Sequence, residues 1–246
     1  MAWLDVTTRS LGVAFLATLL TLCVATPLGY VLSRRDFWGK RLVSALGMLP
    51  LVLPPTAVGT LLLALLAENG PFGATTMGFD LGVLFTWKAA VIASAVMSFP
   101  LVLRTTRLTF DGIDPRLEGM AQSLGHTPLA SIAKVTLPLA KRGLVAAAIL
   151  GFLRALGEYG ATAMIAGNIP GKTQTIALAI ESAQAAGHVE EALVLTVLAV
   201  ALGVSCLVLS EHLLDESPRR GARRVQSDPV GLPFGAKPMT RTNVET

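Results

Sequence analysis

From Leu11 to Leu32 the chain carries no charged residue, and long apolar stretches recur at 42–66, 83–103, 143–166 and 192–214. About 20 helical residues cross a hydrocarbon layer about 30 Å thick. Inside that layer each backbone N–H and C=O must be satisfied without water, so spanning segments are helices or closed barrels. Stretches of this length are too long for barrel strands. The chain is therefore expected to be an all-α integral membrane protein with five spans. The number rises to six if the short apolar piece from Ile176 to Ala186 or the proline-interrupted second stretch counts differently. Only 15% of residues are charged and 52% are hydrophobic, against about 25% charged in ordinary water-exposed domains.

Charge placement sets the expected orientation. A signal peptide needs positive charge before its apolar run. Here Arg34, Arg35, Lys40 and Arg41 follow the first run, so it reads as a retained span. Sixteen of the 20 Lys and Arg residues fall after the first span, around 104–142 or in the tail, while Arg9, Lys88 and Lys172 are left for the other side. Basic residues favour the cytoplasmic face. The expected topology has residues 1–10 outside, a cytoplasmic loop at 110–141 and a cytoplasmic tail at 215–246. The tail is rich in Pro, Gly, Arg and polar residues and is expected to be largely disordered.

Several span residues invite a role. Pro50, Pro54 and Pro55 interrupt the second span. A broken helix at membrane depth is tolerated where neighbours or a lined cavity satisfy the freed carbonyls. The prolines fit either a packing kink or a segment lining or gating a path. Arg154 and Glu158 lie four apart in the fourth span. Charges there pair with one another or face a cavity, so a structural ion pair and a path residue both fit. Gly143, Ala147, Gly151 and Ala155 form a small-residue stripe that admits a close helix neighbour. Cys23 and Cys206 lie in apolar spans and read as small hydrophobes. His126, His188 and His212 show no metal-ligand spacing.

The segment from Glu118 to Pro138 is the longest piece that is neither span nor tail. Asp114-Pro115 reads as a helix start. Leu117, Met120, Ala121 and Leu124 follow at helical spacing, and Gly125 as a stop. Thr127-Pro128 starts a second short helix with Leu129, Ile132 and Ala133 on one face. Such a cornered pair could lie flat on the membrane, read a nucleic-acid groove, or insert into a groove on a partner. The scarcity of basic residues speaks against nucleic acid. A run from Ala166 to Thr173 imitates a phosphate loop. It follows an apolar span rather than a strand, and sits on the side without ATP, so no nucleotide site is expected there. No nucleophile–base pair or acid/base dyad stands out, which argues against an enzyme.

Glu118, Ala121 and Gly125, with the Val135-Thr136-Leu137-Pro138 ending, resemble the cytoplasmic coupling loop of permease subunits of ABC-type importers. Gly119 stands where that motif has Glu, and Met120 replaces its first Ala. Leu49 to Pro55, Ser98-Phe99-Pro100, Arg154 with Gly157 to Ala161, and Gly167 to Thr175 are together similar to the molybdate importer permeases, over about residues 10–214. Tungstate and sulfate/thiosulfate permeases are near rivals. The resemblance implies a homodimer in a bacterial or archaeal cytoplasmic membrane and two ATPase subunits inside. It also implies an external molybdate-binding protein, and no cofactor on this chain, ATP and magnesium being held by the partner. Its implied coupling residues are Glu118, Gly119, Met120, Ala121, Leu124, Gly125 and Pro138. Candidates for the path or gate are Pro50, Pro54, Pro55, Arg154 and Glu158, and for binding-protein docking Asn168, Pro170 and Lys172. An ATP-independent secondary transporter would instead predict an inverted internal repeat, and none is visible.

Overall fold

The structure is a computed structural model; it describes residues 2–78 and 82–215. The tail expected at 215–246 lies outside the described residues apart from the last residue of the final helix, as do residues 79–81 of the expected external loop. The described elements are helical. Besides a single turn at Ala74–Met77, they are α1 (Ala2–Arg34), α2 (Lys40–Val52), α3 (Pro55–Leu66), α4 (Trp87–Asp111) and α5 (Arg116–Ser123), followed by α6 (Pro128–Leu156), α7 (Gly160–Ala166), α8 (Ile176–Ala185) and α9 (Val189–Asp215). Among the described residues, Trp3–Arg34, Trp87–Asp111, Pro128–Leu156 and Val189–Leu209 are long and apolar enough to cross a membrane, and α2 with α3 makes a fifth span if the bent pair counts as one.

The centre of the bundle is α1 against α4. Thr21 Oγ1 donates to Ala95 O at 3.2 Å and Thr106 Oγ1 to Ala25 O at 3.3 Å, so the two helices run parallel. The α6 helix packs antiparallel across both. A Cβ on Gly143 would collide with the Thr109 side chain, and one on Gly151 would fall 2.6 Å from Val102. Ala147 and Ala155 of the same stripe are buried. The core is correspondingly built of small side chains, among them Ala14, Ala17, Ala89, Ala90, Ala93 and Ala161. Apolar side chains gain little by leaving lipid, so close backbone approach through small residues supplies the attraction.

Three expected boundaries change. The second stretch is two helices meeting at 115°. Pro50 stays inside α2; the break falls at Leu53, which is extended at ψ 146°. Residues before proline are pushed out of the helical region, and Pro55 then sits at the first position of α3, where its missing N–H costs nothing. The fourth stretch, expected at 143–166, is also broken. It leaves the helix at Gly157 and resumes at Gly160.

The third change concerns the expected second short helix after Thr127. It is not separate. It opens on the Thr127 cap, whose Oγ1 accepts from Ala130 N, passes through a wide π turn at Ile132–Thr136, and runs on as the long α6 to Leu156. Pro138 does not stop it, because it sits where the wide turn gives way to regular helix.

Candidate functional site: a helical corner and a pair of broken helices

Gly125 closes α5 at φ 90°. Its N–H donates to Gln122 O at 2.9 Å, and His126 N–H donates to Ala121 O at 3.1 Å. This is the Schellman pattern, which needs a left-handed residue and so favours Gly. Asp114 Oδ1 accepts from Arg116 N at the other end, so the expected cap is made by Asp114, two residues before α5 begins.

The apolar stripe of α5 faces away from the rest of the chain except at Ala121. Of its residues only Glu118 and Ala121 are buried. Met120 is 63% exposed, Leu124 83% and, across the corner, Leu129 79%. An apolar ridge therefore projects from the turn, and a Cβ on Gly119 would meet nothing within 4 Å. Leu117 is also exposed. Such a ridge has the form of a helix offered to a groove.

Glu118 points the other way. Its Oε1 accepts from Arg34 Nε at 3.0 Å and from Thr136 Oγ1 at 2.8 Å, and its Oε2 accepts from Tyr30 Oη at 2.8 Å. Tyr30 is itself held edge-on against Phe110, with ring centroids 5.5 Å apart. Burial pushes the Glu118 carboxyl up, but the bonds from Thr136, Tyr30 and Arg34 outweigh it and leave the group below the usual carboxylate range. Expected as part of the coupling surface, Glu118 is turned inward and contributes nothing to the exposed ridge. Sequence reasoning misses Tyr30; it meets Arg34 only as a topology charge and Thr136 only within the Val135–Pro138 run. Pro138 lines a shallow apolar groove with Leu22, Thr26 and Lys141.

All the candidate path residues but Pro50 gather where the two broken helices cross. A Cβ on Gly160 would fall 2.8 Å from Pro55 Cβ, and one on Gly59 would fall 2.9 Å from Ala161 Cα. The break after α2 thus lies against the break after α6. Arg154 Nη1 donates to Glu158 Oε2 at 2.7 Å, while Glu158 Oε1 accepts from Ala161 N at 3.0 Å. Glu158 is 3% exposed. The pair fills the gap left by the missing turn and caps α7. Pro54 and Pro55 are brought to this crossing; Pro50, within α2, lines a groove with Ala95 and Phe99.

The third group, Asn168, Pro170 and Lys172, occupies the loop between α7 and α8. Gly167 and Gly171 are left-handed at φ 67° and 77°. Thr173 Oγ1 accepts from Ile169 N and donates to Gly167 O, closing the loop on itself. Asn168 Nδ2 donates to Leu178 O at 3.2 Å and to Ser182 Oγ, tying the loop to α8. Pro170 and Lys172 stand exposed at the tip. The imitation phosphate loop is thus a closed turn after a helix. The α8 helix docks on α1, where Ile176 N donates to Ser10 Oγ at 2.7 Å.

Residues 25–220 match the family model described as the binding-protein-dependent transport system inner membrane component. The chain is 43% identical over 206 residues to the molybdenum transport system permease protein ModB of Haemophilus influenzae, covering 83% of this chain and 90% of that protein. It is 38% identical over 186 residues to the sulfate transport system permease protein CysT of Salmonella typhimurium, covering 72% and 67%. Among solved structures it resembles a chain of the MetNI methionine ABC transporter in an inward-facing conformation, with TM-score 0.62 and 20% identity over 84% of this chain and 92% of that one. By the extent of these matches the chain belongs to the family of binding-protein-dependent transport system inner membrane components.

Proposed function

We propose that this chain forms the translocation path of an ATP-driven importer for molybdate, as a homodimer coupled to two separate ATPase subunits. The observation that carries the coupling is the exposed ridge of Met120, Leu124 and Leu129 around a left-handed Gly125. An apolar ridge facing water calls for a groove to cover it. The chain itself hydrolyses nothing; ATP and magnesium belong to the partner. The N-terminus lies outside and the C-terminus inside, as the basic residues favour. The loop carrying Asn168, Pro170 and Lys172 receives an external binding protein that delivers the anion. The crossing of Pro54 and Pro55 with Arg154 and Glu158 flanks or gates the path. Molybdate is preferred because the relative named for molybdenum transport matches more of the chain, at higher identity, than the one named for sulfate.

The test is reconstitution in liposomes with and without the co-purifying ATPase and the binding protein. Molybdate uptake that requires both is expected. Uptake without the ATPase would replace this reading with a secondary transporter. The sulfate relative supports a second reading, and competition by tungstate and sulfate in the same assay decides between the anions.

A further inference from the structure

We infer that Glu118 is the joint that carries movement of the cytoplasmic corner into α1 and α6, a positioning residue and not a contact to the ATPase. The inference rests on the coupling role proposed above.

The α5 helix has eight residues. A helix this short does not hold itself together in water, so tertiary contacts must keep it in place. Its buried residues are Glu118 and Ala121 alone, and a single methyl buries too little area to anchor a helix. The anchor is the carboxylate. Its donors come from two separate elements: Tyr30 and Arg34 from the end of α1, and Thr136 from the π turn at the start of α6. Hydrogen bonds to an ionised, buried acceptor are shorter and stronger than neutral ones.

What lies beyond the joint gives it a direction. The α6 helix runs unbroken from Pro128 to Leu156 and ends beside Arg154 and Glu158, against the Pro55 break. A push on the ridge therefore reaches the crossing of broken helices along one continuous helix, provided that α5 cannot slip against α6. The α1 partners hold the same carboxylate to the central α1–α4 pair. Opposite faces of one short helix thus take the input and pass it on: Met120 and Leu124 outward, Glu118 inward.

The experiment uses the full complex in liposomes, reading molybdate uptake, ATP hydrolysis and co-purification of the ATPase for Glu118→Gln. Co-purification and hydrolysis should persist while uptake per ATP falls about tenfold, the scale of losing a charge-assisted bond. Tyr30→Phe and Thr136→Val, each removing one donor, should lower uptake per ATP by about threefold. The effect of Tyr30→Phe should vanish in the Glu118→Gln background. If Glu118→Gln does not reach the membrane, the two single-donor variants decide. Unchanged uptake per ATP, or uptake and hydrolysis falling in step, overturns the joint.

A second readout needs neither ATPase nor substrate. With Cys23 and Cys206 replaced by Ser, spin labels at the exposed positions Gln122 and Arg35 should give a narrow distance distribution that broadens in Glu118→Gln. An unchanged distribution sinks the joint. Failure of the parent complex to take up molybdate sinks the transport reading and leaves this measurement standing.

Discussion

Glu118 and Glu158 are both buried carboxylates bonded to an arginine, yet they join the molecule on different scales. Glu158 takes its partners from Arg154, one turn before it, and from the Ala161 N–H just after it. Glu118 takes Tyr30, Arg34 and Thr136, which lie 88, 84 and 18 residues away in sequence. The first bond set belongs to one interrupted helix and repairs it. The second cannot form until three elements have come together. Similar chemistry therefore serves local stability in one place and connection between elements in the other.

The largest effect that tests this contrast is Glu158→Ala. It leaves Arg154, itself part-exposed, without its counter-charge and strips the cap from α7, a loss of about 2–3 kcal/mol for a charge-assisted bond with its cap. The yield of monodisperse protein and its melting temperature should both drop. Exchanging the pair, Arg154→Glu with Glu158→Arg, should retain more than either single change. If Glu158→Ala were as abundant and as heat-stable as the parent, the pair would not be repairing the break.

A smaller effect is expected at the corner that Glu118 anchors. Gly125→Val places a β-branched residue at φ 90°, at a cost of about 1–2 kcal/mol. The corner can relieve this by unwinding, which displaces Leu124 while leaving Glu118 and its partners alone. ATPase co-purification and coupled uptake should fall while the amount of chain in the membrane holds steady. Normal transport by this variant would detach the corner from coupling.

The smallest effect is on acid stability. The carboxyl of Glu118 titrates below its ordinary value of 4.5. Its stabilising contribution is fully present above that value and is lost as pH falls through the lower, folded-state value. Melting curves of parent and Glu118→Gln in detergent should differ at neutral pH and converge below pH 4.5. A difference that persists undiminished into strong acid would mean that the carboxylate charge is not what holds the corner.

Much of this fold was legible in the chain. The spans, the short helix after Ala166 and the stop at Gly125 rest on length, hydropathy and turn chemistry, which neighbouring residues decide among themselves. The stripe from Gly143 to Ala155 announced a close neighbour without naming it as α4. The pairing of Arg154 with Glu158 was readable because four residues make one helical turn. The pre-proline rule made a break near Pro54 readable as well, but not its 115° angle, which depends on what α3 packs against.

Two features escaped sequence reasoning for the same physical reason. Spacing puts Leu117, Met120, Ala121 and Leu124 on one face but cannot say how much of it is covered, because that depends on elements far away in sequence; Ala121 is buried and the other three are exposed. The resemblance gives Glu118 a coupling role but not its burial, which three donors make favourable. The continuity of α6 through Pro138 was hidden too, since a proline inside a helical pattern ordinarily marks an end. The sequence alone determined a membrane bundle with a helical corner between two spans, through local hydropathy and turn chemistry. Tertiary structure alone decided that the corner turns its apolar residues outward and its carboxylate inward, because the partners that satisfy Glu118 meet only in the folded chain.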